Sequence, residues 1–423
     1  MKIEKIQIHL YKLLILFSPL DFFSFKIDRV DISFFKFFSF LFVLFSTLKF
    51  ISELNNKTSI KKDLFIFSLF IICSIINVVF LSNNFDTRVF LNMLSTLLYF
   101  FTFIFSYDMI MNVVNSNNIN NINKLMLDFK FIVKTWFLFI ILSIPQVILF
   151  LFGINLSFEN FTEYAPENQG VIFGLNLLRP NSLFGEPRSI AVMIIPIYFL
   201  FRHIKEEKVN YLDWFLILLV GALTQSSSFF IVLLISISLI FFSRSYIKTF
   251  VFIGLLLLFI VPNFEAIALI VPRIQNLFSS ELFLPESFNY ELVGQLGDIS
   301  FVSYILNSFS SDSDFLILLF GNGLGTSSVI LLDFVNNLFG VDLEIINSRF
   351  LFYTMIIDLG LIGSFLFIKI LYKRLKSPTF KLDDRPKLIF NLILIGCLFT
   401  GSYLFLVIIP YILLSNIKLN LIK

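Results

Sequence analysis

Apolar runs of roughly 17 to 25 residues, the length a helix needs to cross a bilayer, recur along the whole of this 423-residue chain. No other feature narrows the fold as much. In hydrocarbon each backbone N–H and C=O must be satisfied internally, which leaves helices or closed barrels. Continuous runs of this length, without two-residue alternation, are helical. Composition agrees: 57% of residues are hydrophobic and 14% charged, and mean hydropathy is +0.90. An ordinary soluble domain carries about 25% charge. The expectation is an all-α polytopic membrane protein with eleven or twelve spans. They fall near 6–25, 32–51, 63–82, 89–111, 131–153, 187–202, 211–226, 227–243, 247–262, 350–370 and 388–414. The last, which contains Gly396 and Gly401, reads equally well as two short segments.

Lys2, Lys5 and Lys12 before Leu13–Phe17 imitate the start of a signal peptide, but no small-residue cleavage site follows. An uncleaved first helix is expected. The 60 Phe residues, with abundant Ile and Asn, fit an AT-rich coding bias better than an aromatic function. Cys73 and Cys397 both lie inside apolar runs, and the only histidines are His9 and His203. That pattern suits neither a disulfide framework nor a metal cluster.

Basic residues orient the chain. With a cytoplasmic N-terminus, the inner loops 52–63, 112–134, 202–210, 243–248 and 369–387 hold 18 Lys and Arg, and the outer loops hold 7. This is the positive-inside bias. The asparagine-rich piece 112–123 falls in one of those inner loops and carries no chemistry of its own. A second asymmetry follows. Of the 18 inner bases 14 are Lys, whereas the outer loops 154–188 and 263–349 contain no Lys; their bases are Arg179, Arg188, Arg273 and Arg349. Guanidinium grips phosphate bidentately where ammonium acts as a point charge. A phosphate-bearing ligand on the outer face is the favoured reading; ion pairing within an acidic loop is the alternative. Residues 263–348 carry ten acids against Arg273, a net of −9. A connection this long is functional or disordered, and its apolar pieces (299–306, 315–320) point to a folded external subdomain with short helices. A merely solubilising face explains the acids equally well. The resulting organisation is 1–153 and 189–262 as helical blocks, 154–188 and 263–349 as external segments, and 350–423 as the C-terminal helices.

The polar knot Arg179-Pro-Asn-Ser-Leu-Phe-Gly-Glu-Pro-Arg188 stands between two of these runs. Charge beside a bilayer is costly and faces an aqueous cavity or a charged ligand. Pro187 suits the first turn of the next helix, which sets Glu186 at its mouth, where the N-terminal dipole favours a carboxylate. Gly185 permits a tight turn. Glu186 between Arg179 and Arg188 has the makings of a base that deprotonates a hydroxyl while guanidinium groups hold an anionic leaving group. Alternatively, Glu186 merely caps the helix and pairs with an arginine.

Three blocks carry a family resemblance. Arg179–Pro187 resembles the R-x-x-G-x-F-x-E-P type signature of the O-antigen polymerase and ligase superfamily. Phe320-Gly-Asn-Gly-Leu-Gly-Thr-Ser327 looks like its G-x-G-x-G turn near the end of the long external loop, through Gly321, Gly323 and Gly325. Asp358-Leu-Gly-Leu-Ile-Gly363 resembles its E-L-G-L-I-G element in the following helix. The order is right, and the likeness covers the chain from about residue 130 onward. Two departures bear on the branch. The ligase histidine is replaced by Asn347-Ser348-Arg349-Phe350, and the turn Leu223-Thr-Gln-Ser-Ser-Ser228 lacks the Arg or Gly often found there. The first favours a polymerase over a ligase.

The resemblance implies a Wzy-type repeat-unit polymerase, a membrane glycosyltransferase of the bacterial inner membrane acting in O-antigen or capsular polysaccharide synthesis. It would move a growing glycan from undecaprenyl diphosphate to a lipid-linked repeat unit. The implied roles are Glu186 as base or acceptor-orienting acid and Arg179, Arg188, Arg273 and Arg349 around the diphosphate, an electrostatic role. A chain-length regulator is the protein partner the family implies. No cofactor, metal or nucleic acid is called for. The other readings are a ligase, a flippase for lipid-linked oligosaccharide, and a non-catalytic scaffold. A transporter would be expected to carry internal repeats and mid-membrane charges; no repeat relates the two halves of this sequence, and its informative charges cluster outside.

Overall fold

A computed structural model of the chain describes residues 2–18, 24–27, 30–53, 62–78, 87–115, 119–154, 169–172, 175–180, 182–184, 187–205, 210–224, 226–241, 251, 254, 301, 304–309, 311–340 and 351–375. The expected span 388–414, and 247–262 but for residues 251 and 254, lie outside them. What is described is mostly helical: α1 (Lys2–Phe17), α2 (Phe34–Glu53), α3 (Lys62–Ile76), α4 (Thr87–Asn115), α5 (Ile119–Ile141), α6 (Ser143–Leu151), α7 (Pro187–Lys205), α8 (Tyr211–Leu223), α9 (Ser227–Phe241), α10 (Asp312–Phe320), α11 (Ser327–Phe339) and α12 (Leu351–Leu375). Two small antiparallel hairpins stand beside them, β1 (Ser24–Ile27) with β2 (Val30–Ser33) and β3 (Gln169–Ile172) with β4 (Leu175–Leu178). Among the described residues, three helical stretches, Phe34–Ile51, Val89–Ile110 and Lys124–Leu151, are long and apolar enough to cross a membrane.

Two boundaries differ from expectation. The first helix stops at Phe17 instead of running to residue 25. Ser18 Oγ donates to the Ile15 carbonyl (2.9 Å), and the next residue in the sequence, Pro19, has no N–H to extend the helical ladder. The stretch expected as the inner loop 112–134 is largely helical, with α4 running to Asn115 and α5 starting at Ile119. The asparagines there hide a helical stripe. Ile122, Leu125, Met126, Phe129, Ile132, Val133, Trp136 and Ile140 recur at helical spacing and are all buried. The opposite face of α5 leaves Leu127 and Phe131 each 67% exposed, an outer surface compatible with lipid.

Helix α5 breaks at Leu142 and continues as α6. Pro145 accounts for the break, since its ring removes the N–H that would bond the Ile141 carbonyl.

Side-chain pairs give the helix directions. Gln7 with Ser46, Tyr11 with Phe42 and Phe17 with Phe34 set α1 antiparallel to α2. The Lys12–Asp128 ion pair, and Trp136 Nε1 donating to the Leu16 carbonyl (3.1 Å), set α1 parallel to α5. Phe70 packs on Gly363 while Asn77 reaches the segment ahead of α12, so α3 and α12 run oppositely. Phe367 meets Phe100 and Phe103 (5.0 and 6.3 Å between centroids) deeper along α4.

The buried side chains form two clusters. The larger joins α1, α2, α3, α4, α5, α7, α8, α9 and α12, together with Phe184 and Leu324. The smaller holds Phe301, Tyr304, Leu318, Leu331, Leu332 and Val335 and is closed by Ile356 and Ile357 of α12. Among the described residues before α12, Phe301, Tyr304, Leu318, Leu331, Leu332 and Val335 thus pack in the smaller cluster, and Leu324 of the glycine turn packs in the larger.

Candidate functional site

Hairpin β3–β4 delivers the chain straight into Arg179, whose neighbours Leu178 and Pro180 are buried. Arg179 is half-buried, and its Nε–H donates to the Thr224 carbonyl (2.9 Å). Thr224 is the C-cap of α8, and its own hydroxyl donates to the Gly221 carbonyl (2.6 Å). A guanidinium at that position satisfies an orphan carbonyl at the negative end of the helix dipole. It also ties the Arg179 block to the Leu223–Ser228 turn, the other place where the sequence invites comparison with the family. Residues 182–184 make one 3-10 turn that buries Phe184. Helix α7 then starts at Pro187, as its fixed φ suggests it should. Arg188 is the second residue of α7; Gly185, Glu186, Arg273 and Arg349 lie outside the described residues.

The glycine block closes a different part of the structure. Gly321, Gly323 and Gly325 join α10 to α11 with φ of 85°, 110° and 86°. Gly360, inside α12, has φ 69° and ψ 179°, a break in the helical backbone. This break frees carbonyls that would otherwise accept from the next turn, and the glycine block takes them. The Asn322 N–H donates to the Ile357 carbonyl (2.8 Å) and the Gly323 N–H to the Asp358 carbonyl (3.1 Å). The approach is backbone on backbone: a Cβ on Gly321 would overlap the Asp358 carbonyl oxygen, and one on Gly360 the Leu319 carbonyl oxygen. One on Gly325 would lie 2.5 Å from the Met93 nitrogen.

Asp358 completes the interlock. It is fully buried, and its Oδ1 accepts the Ser327 N–H (2.9 Å). Thr326, at the N-cap of α11, makes no side-chain capping bond. The acceptor for the start of α11 therefore comes from another helix, with the same electrostatic logic as an ordinary cap. Around this contact lies a ring of amides and hydroxyls. Asn77 Nδ2 donates to the Asn322 carbonyl (3.4 Å), Asn92 Nδ2 to Ser328 Oγ (2.9 Å) and Asn322 Nδ2 to the Tyr304 phenol oxygen (2.9 Å). Burial is the main cause holding the Tyr304 phenol above its ordinary value, with Asp358 and Asp314 adding to it against bonds to Asn322 and Ser308. Tyr304 is therefore a phenol, not a phenolate, at neutral pH.

The second and third sequence blocks thus form one built feature at the ends of α3, α4 and α12. The hydrogen bond that orients Arg179 runs to α8 instead. Sequence reasoning picked out the glycines and Asp358 but not Tyr304, Asn77, Asn92 or Thr224. The available signal was that the two asparagines interrupt, or stand at the end of, apolar runs, where an amide needs a partner. Among the described residues no group of three or more His, Cys, Asp or Glu side chains is placed to hold a metal ion. Comparison with protein-family models, with curated proteins and with solved structures gives no match to this chain.

Proposed function

We propose that this chain is a polytopic inner-membrane repeat-unit polymerase, with its N-terminus in the cytoplasm and about eleven or twelve spans. It transfers a growing glycan from undecaprenyl diphosphate to a lipid-linked repeat unit. The observation that carries the reading is the interlock of Gly321–Gly325 with Asp358–Gly360. The sequence resemblance selects these two blocks separately, more than thirty residues apart, and they turn out to be one contact. Helix direction adds support. On this reading, with α1 parallel to α5 and strict alternation between neighbours, α3 and α5 finish at one end and the Arg179 block and the glycine turn share one face of the membrane.

On this reading Arg179, Arg188, Arg273 and Arg349 stabilise the departing diphosphate and Glu186 removes the acceptor hydroxyl's proton. The charge that develops on the leaving group is what such donors act on. Thr224 keeps the Arg179 guanidinium in place through the Nε–H bond to its carbonyl.

The test is deletion of the gene in its host, complemented by wild type, Arg179→Ala or Glu186→Gln, with surface glycan resolved on a gel. Where the glycan is linked to lipopolysaccharide, the deletion strain is expected to carry a core bearing a single repeat unit. Both point variants, expressed at wild-type level, should do the same. Normal ladders from both variants would remove Arg179 and Glu186 from the site. Complete absence of surface glycan in the deletion strain would instead indicate a ligase or a flippase.

A further inference from the structure

Helix α5 carries one acid, Asp128, and three bases, Lys124, Lys130 and Lys134. Asp128 turns toward α1, where it pairs with Lys12. The three lysines are exposed. They are interleaved with Leu127, Phe131 and Leu138, which are 67%, 67% and 51% exposed. At 3.6 residues per turn these six side chains share one face about 120° wide, in the order Lys130, Lys134, Leu127, Leu138, Phe131, Lys124. The face thus has an apolar centre and a basic margin on either side. Toward α6 it continues through exposed Leu142, and no lysine follows as far as Leu151.

A neighbouring helix sets the depth of this face. Strand β4 packs on α6 and the 182–184 turn on α5, so α7 starts beside the C-terminal part of α5 and α6 and runs back along them. Phe137 stacks on Phe201 (centroids 4.7 Å apart, 11° between planes). Lys205, the last residue of α7, lies one turn beyond Phe201 and so comes level with the turn of α5 that holds Lys134. Tyr211, almost fully exposed, begins α8 at that same end, and tyrosines gather at a bilayer boundary. The lysines therefore stand at and beyond the edge of the apolar layer, with Leu138 one turn inside it.

That arrangement selects its occupant. Lys130 and Lys134 are neighbours at i and i+4, close enough to hold one phosphate between them, and their stems can lie along apolar surface. An acyl chain suits the apolar centre. A second copy docked through the same face would set lysine against lysine. A soluble anion would leave Leu127, Phe131 and Leu138 in water.

We propose that this face of α5 is a binding site for an anionic phospholipid of the cytoplasmic leaflet. One headgroup phosphate lies between Lys130 and Lys134, Lys124 attracts from the other margin, and an acyl chain runs along Phe131 and Leu138. The leaflet rests on the orientation given above; the site itself is independent of glycan transfer.

The test is titration of the full chain, purified in neutral detergent, with phosphatidylglycerol or phosphatidylcholine, with bound lipid read by native mass spectrometry. Wild type is expected to prefer phosphatidylglycerol, and added salt should weaken that preference. Lys124→Gln should weaken phosphatidylglycerol binding about fivefold and Lys130→Gln/Lys134→Gln roughly thirtyfold, from about 1 kcal/mol per lysine near an anionic surface. Lys369→Gln, an exposed lysine on α12, should leave it within about twofold. Equal binding of the two lipids by wild type, or an unchanged preference in a folded double variant, would overturn the proposal. So would a wild-type dimer that the double variant dissolves, because a second copy would then cover the face. Loss of the lipid preference leaves the polymerase reading standing, and full ladders from the deletion strain leave the lipid site standing.

Discussion

An alanine methyl at Gly321 would sit on the Asp358 carbonyl oxygen, in a backbone region (φ 85°, ψ 164°) that side-chain-bearing residues avoid. Both penalties act at once: strain of about 1–3 kcal/mol and overpacking of about 1–3 kcal/mol. Gly340 gives the contrast. It caps α11 at φ 62° and ψ 31° with open space around it, so alanine there costs only about 1–2 kcal/mol of left-handed strain. Gly321→Ala is therefore expected to lower the thermal stability of the detergent-purified chain far more than Gly340→Ala. Fluorescence-detected size exclusion after heating measures it, and equal losses would mean the interlock is not what holds this end of α12.

Between elements, the contact most exposed to test joins α7 to α8. Arg202 pairs with Asp213 and lies over the Tyr198 ring, 5.7 Å from its centroid. The Tyr198 hydroxyl donates to Asp213 Oδ2 (3.2 Å) and accepts the Asn210 N–H (3.3 Å). Both charged side chains are mostly covered, so removal of either leaves a charge that is poorly solvated. Arg202→Ala and Asp213→Ala are each expected to cost about 1–3 kcal/mol. Because they share one network, the double variant should cost less than the sum by about 0.5–3 kcal/mol. A double-mutant cycle on unfolding midpoints reads the coupling, and strict additivity would show the pair to be an ordinary surface contact.

For the molecule as a whole, the orientation carries the proposal, because lipid-linked glycan and glycine turn must meet on the outer face. Tyr211, at the start of α8, is 93% exposed, and Asp333 on α11 is exposed as well. With Cys73 and Cys397 changed to serine, a membrane-impermeant maleimide applied to spheroplasts should label Asp333→Cys. Tyr211→Cys should be labelled only after permeabilisation. The reverse pattern would put the Arg179 block in the cytoplasm and end the polymerase reading.

What the sequence determined by itself is, among the described residues, which apolar runs are helical and their rough bounds. Runs such as 32–51, 187–202 and 211–226 reappear as α2, α7 and α8 within a few residues. An apolar run in hydrocarbon has no alternative to helix, so the signal is local and strong. Pro187 likewise marked the start of α7 without help from any neighbour. Where the signal was mixed, the sequence misled: the asparagines at 112–123 concealed the buried stripe of α5, legible only at helical spacing. Tertiary structure alone decided the rest. That Asp358 caps a helix beginning at Ser327, that Arg179 finds a carbonyl at Thr224, and that Asn322 faces Tyr304 are each contacts between distant residues. Each is set by where packed helices bring an unpaired donor beside an unpaired acceptor. Composition and spacing show that those groups need partners, and the packing chooses which.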